Sequence, residues 1–149
     1  MDFNLVLEKL ELGIDGKEKL DALSFVVDVL KEEVYHYDWV GIYELDLNRG
    51  ILVLGPYVGN KTDHLEIAVG NGVCGQVAEK NSTMIVQDVS EESNYISCSV
   101  DVQSEVVVPI KKLGKFVAEI DIDSRSIAPF TNEDQCFLEQ VSNLLSKYY

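Results

Sequence analysis

Apolar residues recur at two periods along this 149-residue chain, and the change of period marks out its elements. Between Lys17 and Tyr37, Leu20, Leu23, Val26, Val27, Leu30 and Val34 fall three or four apart, with Asp21, Asp28, Lys31 and Glu32 on the other side. That spacing predicts an amphipathic helix lying on a core. Strand patterns follow from Trp39 to Leu45 and from Ile51 to Tyr57, joined by an Asn48-Arg49-Gly50 turn. A short strand from Leu65 to Ala68 stops at Gly70-Asn71-Gly72, one or two helical turns cover Val73 to Glu79, and another short strand covers Met84 to Val86. The stretch from Asp88 to Asp101 has no period and is long enough to read as a functional loop. Ser104 to Ile110 and Lys115 to Asp123 then flank Lys112-Leu113-Gly114 as a hairpin. A last helix starts at Thr131, with Asp134 three residues on as its capping partner and Phe137, Leu138, Val141, Leu144 and Leu145 as its apolar stripe. The expected fold is α+β, a central, mainly antiparallel sheet with the N- and C-terminal helices packed on one face and a ligand pocket on the other.

Length and charge narrow what such a fold does. One domain over residues 1–149 is expected, because the chain matches a single ordinary core. Twelve Lys and Arg stand against 26 Asp and Glu, and a formal charge of -14 repels phosphate backbones and anionic lipid. No nucleic acid and no membrane partner is therefore expected. The N-terminus lacks the basic start and apolar run of a signal peptide, so the expected location is cytoplasmic, and three cysteines, an odd number, read as reduced thiols.

Those thiols and a set of carboxylates are the candidate chemistry. Cys74 follows two glycines at a predicted helix start, where free backbone N–H groups favour a thiolate. A small core residue is the competing reading. Cys98 lies among Ser93, Asn94, Ser97, Ser99 and Asp101, where packing gives no reason for a thiol. Cys136 falls about 140° from the centre of its helix's apolar stripe and reads as incidental. Phe116, Ala118, Ile120 and Ile122 alternate with Val117, Glu119, Asp121 and Asp123, so Asp121 and Asp123 share the face opposite the apolar set, and Glu105 heads the partner strand. Repulsion between the two aspartates would raise the proton affinity of one, making it an acid near neutral pH. A solvated strand face is the bland alternative, and a hard-metal site ranks last because no calcium-loop spacing is present. His36 and His64 are too separated for a metal cluster, so no metal is expected. Trp39, Gly41 and Tyr43 share a strand face, and the gap between two aromatics suits a methyl or thioether group, unless the rings are simply core. A thiolate nucleophile, a resolving thiol and an acid suffice for reductive chemistry without a cofactor.

Several blocks together resemble the free methionine-R-sulfoxide reductases, single-domain proteins of the GAF fold. They are Trp39-Val40-Gly41-Ile42-Tyr43, Leu54-Gly55-Pro56-Tyr57, Gly72-Val73-Cys74-Gly75, Ser104 to Pro109 and Asp121-Ile122-Asp123-Ser124. The resemblance implies that Cys98 is the nucleophile, that Glu105, Asp121 and Asp123 bind and protonate the substrate, and that Trp39 and Tyr43 line its methyl-sulfoxide pocket. Members commonly carry a further cysteine where this chain has His64, which leaves Cys74 to resolve Cys98 by a disulfide. The implied partners are free methionine-R-sulfoxide and a thioredoxin-like dithiol, and the amphipathic N-terminal helix could serve a homodimer. The competing reading is a GAF module that binds a small ligand, or senses oxidant, without turnover.

Overall fold

Alternation along the strands builds two interiors, one on each face of a single sheet. The computed structural model describes residues 1–96 and 100–149; Cys98, with Ser97 and Ser99, lies outside the described residues. Six strands, β1 (Trp39–Asp46), β2 (Ile51–Val58), β3 (Glu66–Ala68), β4 (Met84–Val86), β5 (Ser104–Lys112) and β6 (Lys115–Ser124), pair antiparallel throughout in the order β3-β2-β1-β6-β5-β4. Val40 and Ile42 of β1, Val106, Val108 and Ile110 of β5, and Ala118, Ile120 and Ile122 of β6 all point to one face. There they meet helices α1 (Phe3–Ile14), α2 (Lys19–Glu33) and α4 (Asn132–Leu145). Each fully buried Ile or Leu in this layer contributes about 1.5–3 kcal/mol by leaving water. The apolar stripe of α2 is therefore used inside the molecule.

The opposite face carries the intervening residues. Trp39, Tyr43, Leu52, Ile67 and Val107 pack there against α3 (Gly72–Lys80), which contributes Val73, Cys74 and Val77. This second interior is smaller and holds the candidate site.

Two local devices set the connections. At the β5–β6 hairpin, Leu113 and Gly114 have φ of 52° and 77°, the pair of left-handed residues that a two-residue turn matched to strand twist needs. At the start of α4, Thr131 Oγ1 accepts from the Asp134 N–H at 3.2 Å while Asp134 Oδ2 accepts from the Thr131 N–H at 2.8 Å, a reciprocal cap.

The structure departs from the sequence expectation at the N-terminus. Helix α1 precedes the helix expected from Lys17, capped by Asp2, whose Oδ1 accepts from the Asn4 N–H at 3.0 Å. Its buried residues Val6, Leu10 and Ile14 are four apart, and Phe3 stacks on Phe137 with centroids 4.5 Å apart. The expected helix itself is shorter, ending at Glu33 rather than Tyr37. No described helix is long and apolar enough to cross a membrane.

Candidate active site

Strand register brings the candidate residues together. On β6 the residues facing α3 are Glu119, Asp121 and Asp123, and β1 sets Tyr43, Gly41 and Trp39 opposite them in that order. On the other side β5 sets Glu105 opposite Asp123 and Val107 opposite Asp121. A row of carboxylates thus runs down the middle of the sheet between an aromatic strand and an acidic one. The solvated-face alternative is overturned: Glu119, Asp121 and Asp123 are each at most 1% exposed and Glu105 is 4% exposed. Loops and α3 cover the face that a lone hairpin would leave to water.

Cys74 enters this row from the first turn of α3. Its thiol lies 3.9 Å from Glu105 Oε1, and ligand atoms of Cys74, Glu105 and Asp121 lie within 4.8 Å of one another. The expectation of a thiolate favoured by the helix N-terminus is corrected. Burial, followed by the negative charges of Asp121, Glu119 and Glu105, pushes the thiol well above its ordinary range. The free N–H groups of one short helix do not offset that, because the Gly75 N–H is already bonded to the Asn71 carbonyl and the Gly72 N–H to the Asn94 side chain.

The carboxylates are displaced the same way. Burial raises Asp121 above its usual range, against the hydrogen bonds from Glu105 and Cys74 that favour its anion. The raised proton affinity expected of the aspartate pair is present, but desolvation rather than mutual repulsion is its main cause. Glu119 is raised well above its usual range, again by burial first, with Asp121 adding to it and Cys74 opposing it. Neither Glu119 oxygen has a hydrogen bond of ordinary geometry, and Asp121 Oδ1 has none either. The Cys74 thiol is the polar group nearest in influence to Glu119.

The aromatic pair is also placed on this face, with one change. The space beside Gly41 is not an open gap: a Cβ there would lie 2.3 Å from the Trp39 ring, so the indole itself covers the glycine. Trp39 stacks on Tyr57 with centroids 5.4 Å apart and donates from Nε1 to the Asn60 carbonyl at 3.0 Å. Tyr43 donates to the carbonyl of His64 at 2.8 Å. His64 therefore meets the site through its backbone carbonyl.

Two cavities adjoin the row, one at Asp123 and one at Asp121. One is lined by Asp38, Trp39, Asn60, Asp101, Asp123 and Arg125, the other by Ile67, Gly72, Cys74, Ile96, Glu105 and Asp121. The long loop is tied over the second by Asn94, whose side chain accepts from the Gly72 N–H at 2.8 Å and donates to the Gly70 carbonyl at 2.9 Å. Gly72 has φ of +64°, and a Cβ there would press on Ile96 at 3.0 Å, so this close approach of loop to helix requires glycine.

Sequence reasoning missed two contributors. Glu119 was visible as the residue two before Asp121, and the 2.0 period alone puts it on the same face. Nothing local marks Asn94, since its partners lie 22 and 24 residues away. Cys136 is exposed on α4, away from the site, as its helical angle implied.

This architecture is that of a GAF domain, and the GAF domain family model matches residues 20–148. The chain is similar to the free methionine-R-sulfoxide reductase of Saccharomyces cerevisiae, at 34% identity over 153 residues covering 95% of this chain and 84% of that protein. It also superposes on the structure of free methionine-R-sulfoxide reductase from Neisseria meningitidis in complex with its substrate, with a TM-score of 0.93 at 33% identity over 98% of this chain and 87% of that one. The type II free methionine-R-sulfoxide reductase of Thermoplasma acidophilum gives a TM-score of 0.81 at 35% identity, covering 96% and 94%. The chain belongs to the free methionine-R-sulfoxide reductase family.

Proposed function

We propose that this protein reduces the R sulfoxide of free methionine to methionine by thiol chemistry centred on Cys98 and Cys74. The observation that carries the reading is the convergence of Glu105, Asp121 and Cys74 on one buried cavity beneath the loop that leads through Ile96 toward Cys98. The family relation supplies the substrate class.

In the proposed cycle the Cys98 thiolate attacks the sulfoxide sulfur. A proton from a carboxyl of the row goes to the departing oxygen; Asp121, whose proton affinity burial raises, is its source. The bond between Cys98 and the methionine sulfur forms as the S–O bond breaks; the released hydroxide then adds to the Cys98 sulfur, the S–S bond breaks with its electron pair returning to methionine, and Cys98 is left as a sulfenic acid. Cys74 then condenses with it, forming a disulfide and releasing water. A thioredoxin-like dithiol returns both thiols by exchange, taking the disulfide itself. No cofactor enters. The environment of Cys74 divides the labour: burial and three carboxylates keep it a thiol, so it does not compete for the sulfoxide and reacts only once a sulfenic acid is present.

The remaining carboxylates of the row, Glu105 and Asp123, hold the substrate ammonium, while Trp39 and Tyr43 bound the methyl end. A peptide-linked methionine has no such ammonium, which is why the free amino acid is the expected substrate. The deciding experiment supplies purified protein with separated R and S sulfoxides of free methionine, peptide-bound sulfoxide and dithiothreitol. Fast turnover of the free R form alone is expected, and Cys98→Ser should abolish it. Equal rates on peptide-bound sulfoxide would overturn the role of the acidic row. Tight binding with no methionine released would establish the ligand-binding module instead.

A further inference from the structure

Asn94 stands outside the residues assigned to the chemistry, yet every polar atom it has is engaged. Its N–H donates to Glu92 Oε1 at 3.1 Å and its carbonyl accepts from Gln76 Nε2 at 3.2 Å. Its Oδ1 accepts from the Gly72 N–H at 2.8 Å, and its Nδ2 donates to the Gly70 carbonyl at 2.9 Å. Gln76 Nε2 also donates to the Gly72 carbonyl at 3.0 Å, so one amide bridges loop and helix. Three of the four partners, Gly70, Gly72 and Gln76, belong to the turn that carries Cys74. Asn94 itself is exposed; the packing is left to Tyr95 and Ile96, which lie on the second interior. Ile96 lines the same cavity as Cys74, and Cys98 follows it by two residues, a span of at most about 7 Å. The far end of the loop is fixed by Gln103, whose N–H donates to the Ser124 carbonyl at 2.8 Å and whose carbonyl accepts from the Val89 N–H at 2.9 Å. In sequence, Cys98 therefore falls between two anchors, four residues after Asn94 and five before Gln103. The first anchor is bonded to the Cys74 helix.

We propose that Asn94 is a positioning residue for the second step of the cycle: by clamping the loop to the first turn of α3 it sets the approach of the Cys74 thiol to the Cys98 sulfenic acid, and it is dispensable for attack on the sulfoxide. The proposal rests on the reading of Cys98 and Cys74 as a reacting pair. In that step the Cys74 sulfur bonds to the Cys98 sulfur, the S–O bond of the sulfenic acid breaks, and the hydroxyl leaves as water with the Cys74 proton. Such a displacement is sensitive to alignment, and misplacing one reactant by about 1 Å costs roughly 10² in rate. The first step does not involve Cys74, so it does not depend on how loop and helix are held together.

Hydrogen peroxide tests the clamp without any sulfoxide. The Cys98 thiolate takes one peroxide oxygen, the O–O bond breaks, water leaves, and the same sulfenic acid forms. The protein carries Cys136→Ser, which removes the exposed third thiol. Quenched samples are read by peptide mass spectrometry for the Cys74–Cys98 disulfide and for dimedone-labelled Cys98. Asn94→Ala should slow the disulfide roughly tenfold or more, with dimedone-labelled Cys98 in its place, while Cys98 is oxidised within about twofold of the parent rate. Asn94→Asp keeps the acceptor for the Gly72 N–H but turns a carboxylate oxygen on the Gly70 carbonyl, and should fall between the two. Disulfide formation at the parent rate in Asn94→Ala would overturn the proposal. Equal slowing of Cys98 oxidation and of the disulfide would also overturn it, since that would mark a residue that orders the whole loop. In a single turnover with free methionine-R-sulfoxide, methionine release should stay within about twofold in Asn94→Ala. A parent protein that forms the disulfide with peroxide but releases no methionine would refute the reductase and leave the clamp standing, whereas no disulfide in the parent would overturn the clamp.

Discussion

Asp134 and Asp121 are equally hidden, each 1% exposed, yet their proton affinities move in opposite directions. At Asp134 burial opposes ionisation, but hydrogen bonds from His36, from Thr131 through backbone and side chain, and from Tyr37 outweigh it and hold the carboxyl down to about 2. His36 Nε2 and Tyr37 Oη both lie 2.8 Å from Oδ1, and Thr131 supplies N–H and O–H to Oδ2 at 2.8 and 2.7 Å. Every lone pair that matters is used. At Asp121 one oxygen has no donor at all, and its neighbours are a thiol and other carboxylates. The lesson is that burial does not by itself decide whether a carboxylate is structural or reactive; the count of donors around it does. One network fastens a helix end to the sheet, and the other leaves raised proton affinities and an acceptor without a donor.

The largest effect that sharpens this contrast is on turnover. Asp121→Asn should lower kcat/KM for free methionine-R-sulfoxide by about 10²–10⁴, the range for losing a general acid, and leave the melting temperature unchanged or higher. Steady-state kinetics paired with thermal melts measure both. A large loss of stability with normal activity in the folded fraction would erase the distinction between the two acids. Asp134→Ala should do the opposite. It strips a helix cap and orphans His36 and Tyr37, at a cost of about 3 kcal/mol in chemical denaturation, while the specific activity of folded protein stays within a factor of two or so.

pH separates the two regions further. Because Asp134 is lower in the folded state than its unfolded value of 3.8, the stability it contributes is present above pH 3.8 and lost as pH falls toward 2. That acid limb should amount to about 2 kcal/mol after allowing for solvent screening, and it should be missing in Asp134→Asn. Glu119 has the reverse sign. Its folded affinity for the proton is raised, so its contribution is fully favourable below pH 4.5 and is lost as pH rises toward its folded value. Glu119→Gln should therefore stabilise the protein by about 1 kcal/mol at pH 8 and by less at pH 4, the smallest effect in this set. Melting curves across that range give the answer, and destabilisation by Glu119→Gln that is constant with pH would show a satisfied structural carboxyl instead.

Much of this was legible along the chain. The 3.6 and 2.0 periods placed α2, α4, β1, β2, β5 and β6 and put Asp121 and Asp123 on the face opposite Ile120 and Ile122. Thr131 and Asp134 announced their cap, and Leu113-Gly114 its turn. Even the missed helix α1 carries its signal in Val6, Leu10 and Ile14, four apart after a capping Asp2. These are properties of neighbours in sequence, whose geometry the backbone fixes locally.

Tertiary structure alone decided what surrounds them. A charge-alternating strand reads the same whether water or a helix covers its polar face, and only the docking of α3 and the Asn94-tied loop makes Glu119 and Asp121 buried acids. Cys74 shows the reason most directly. Its local setting at a helix start favours a thiolate, but Asp121, Glu119 and Glu105 come to it from 31 to 47 residues away, and desolvation with three carboxyl neighbours outweighs a short helix's dipole. Local pattern determined which side chains point the same way; long-range packing determined the dielectric and the donors they meet, and with them the chemistry.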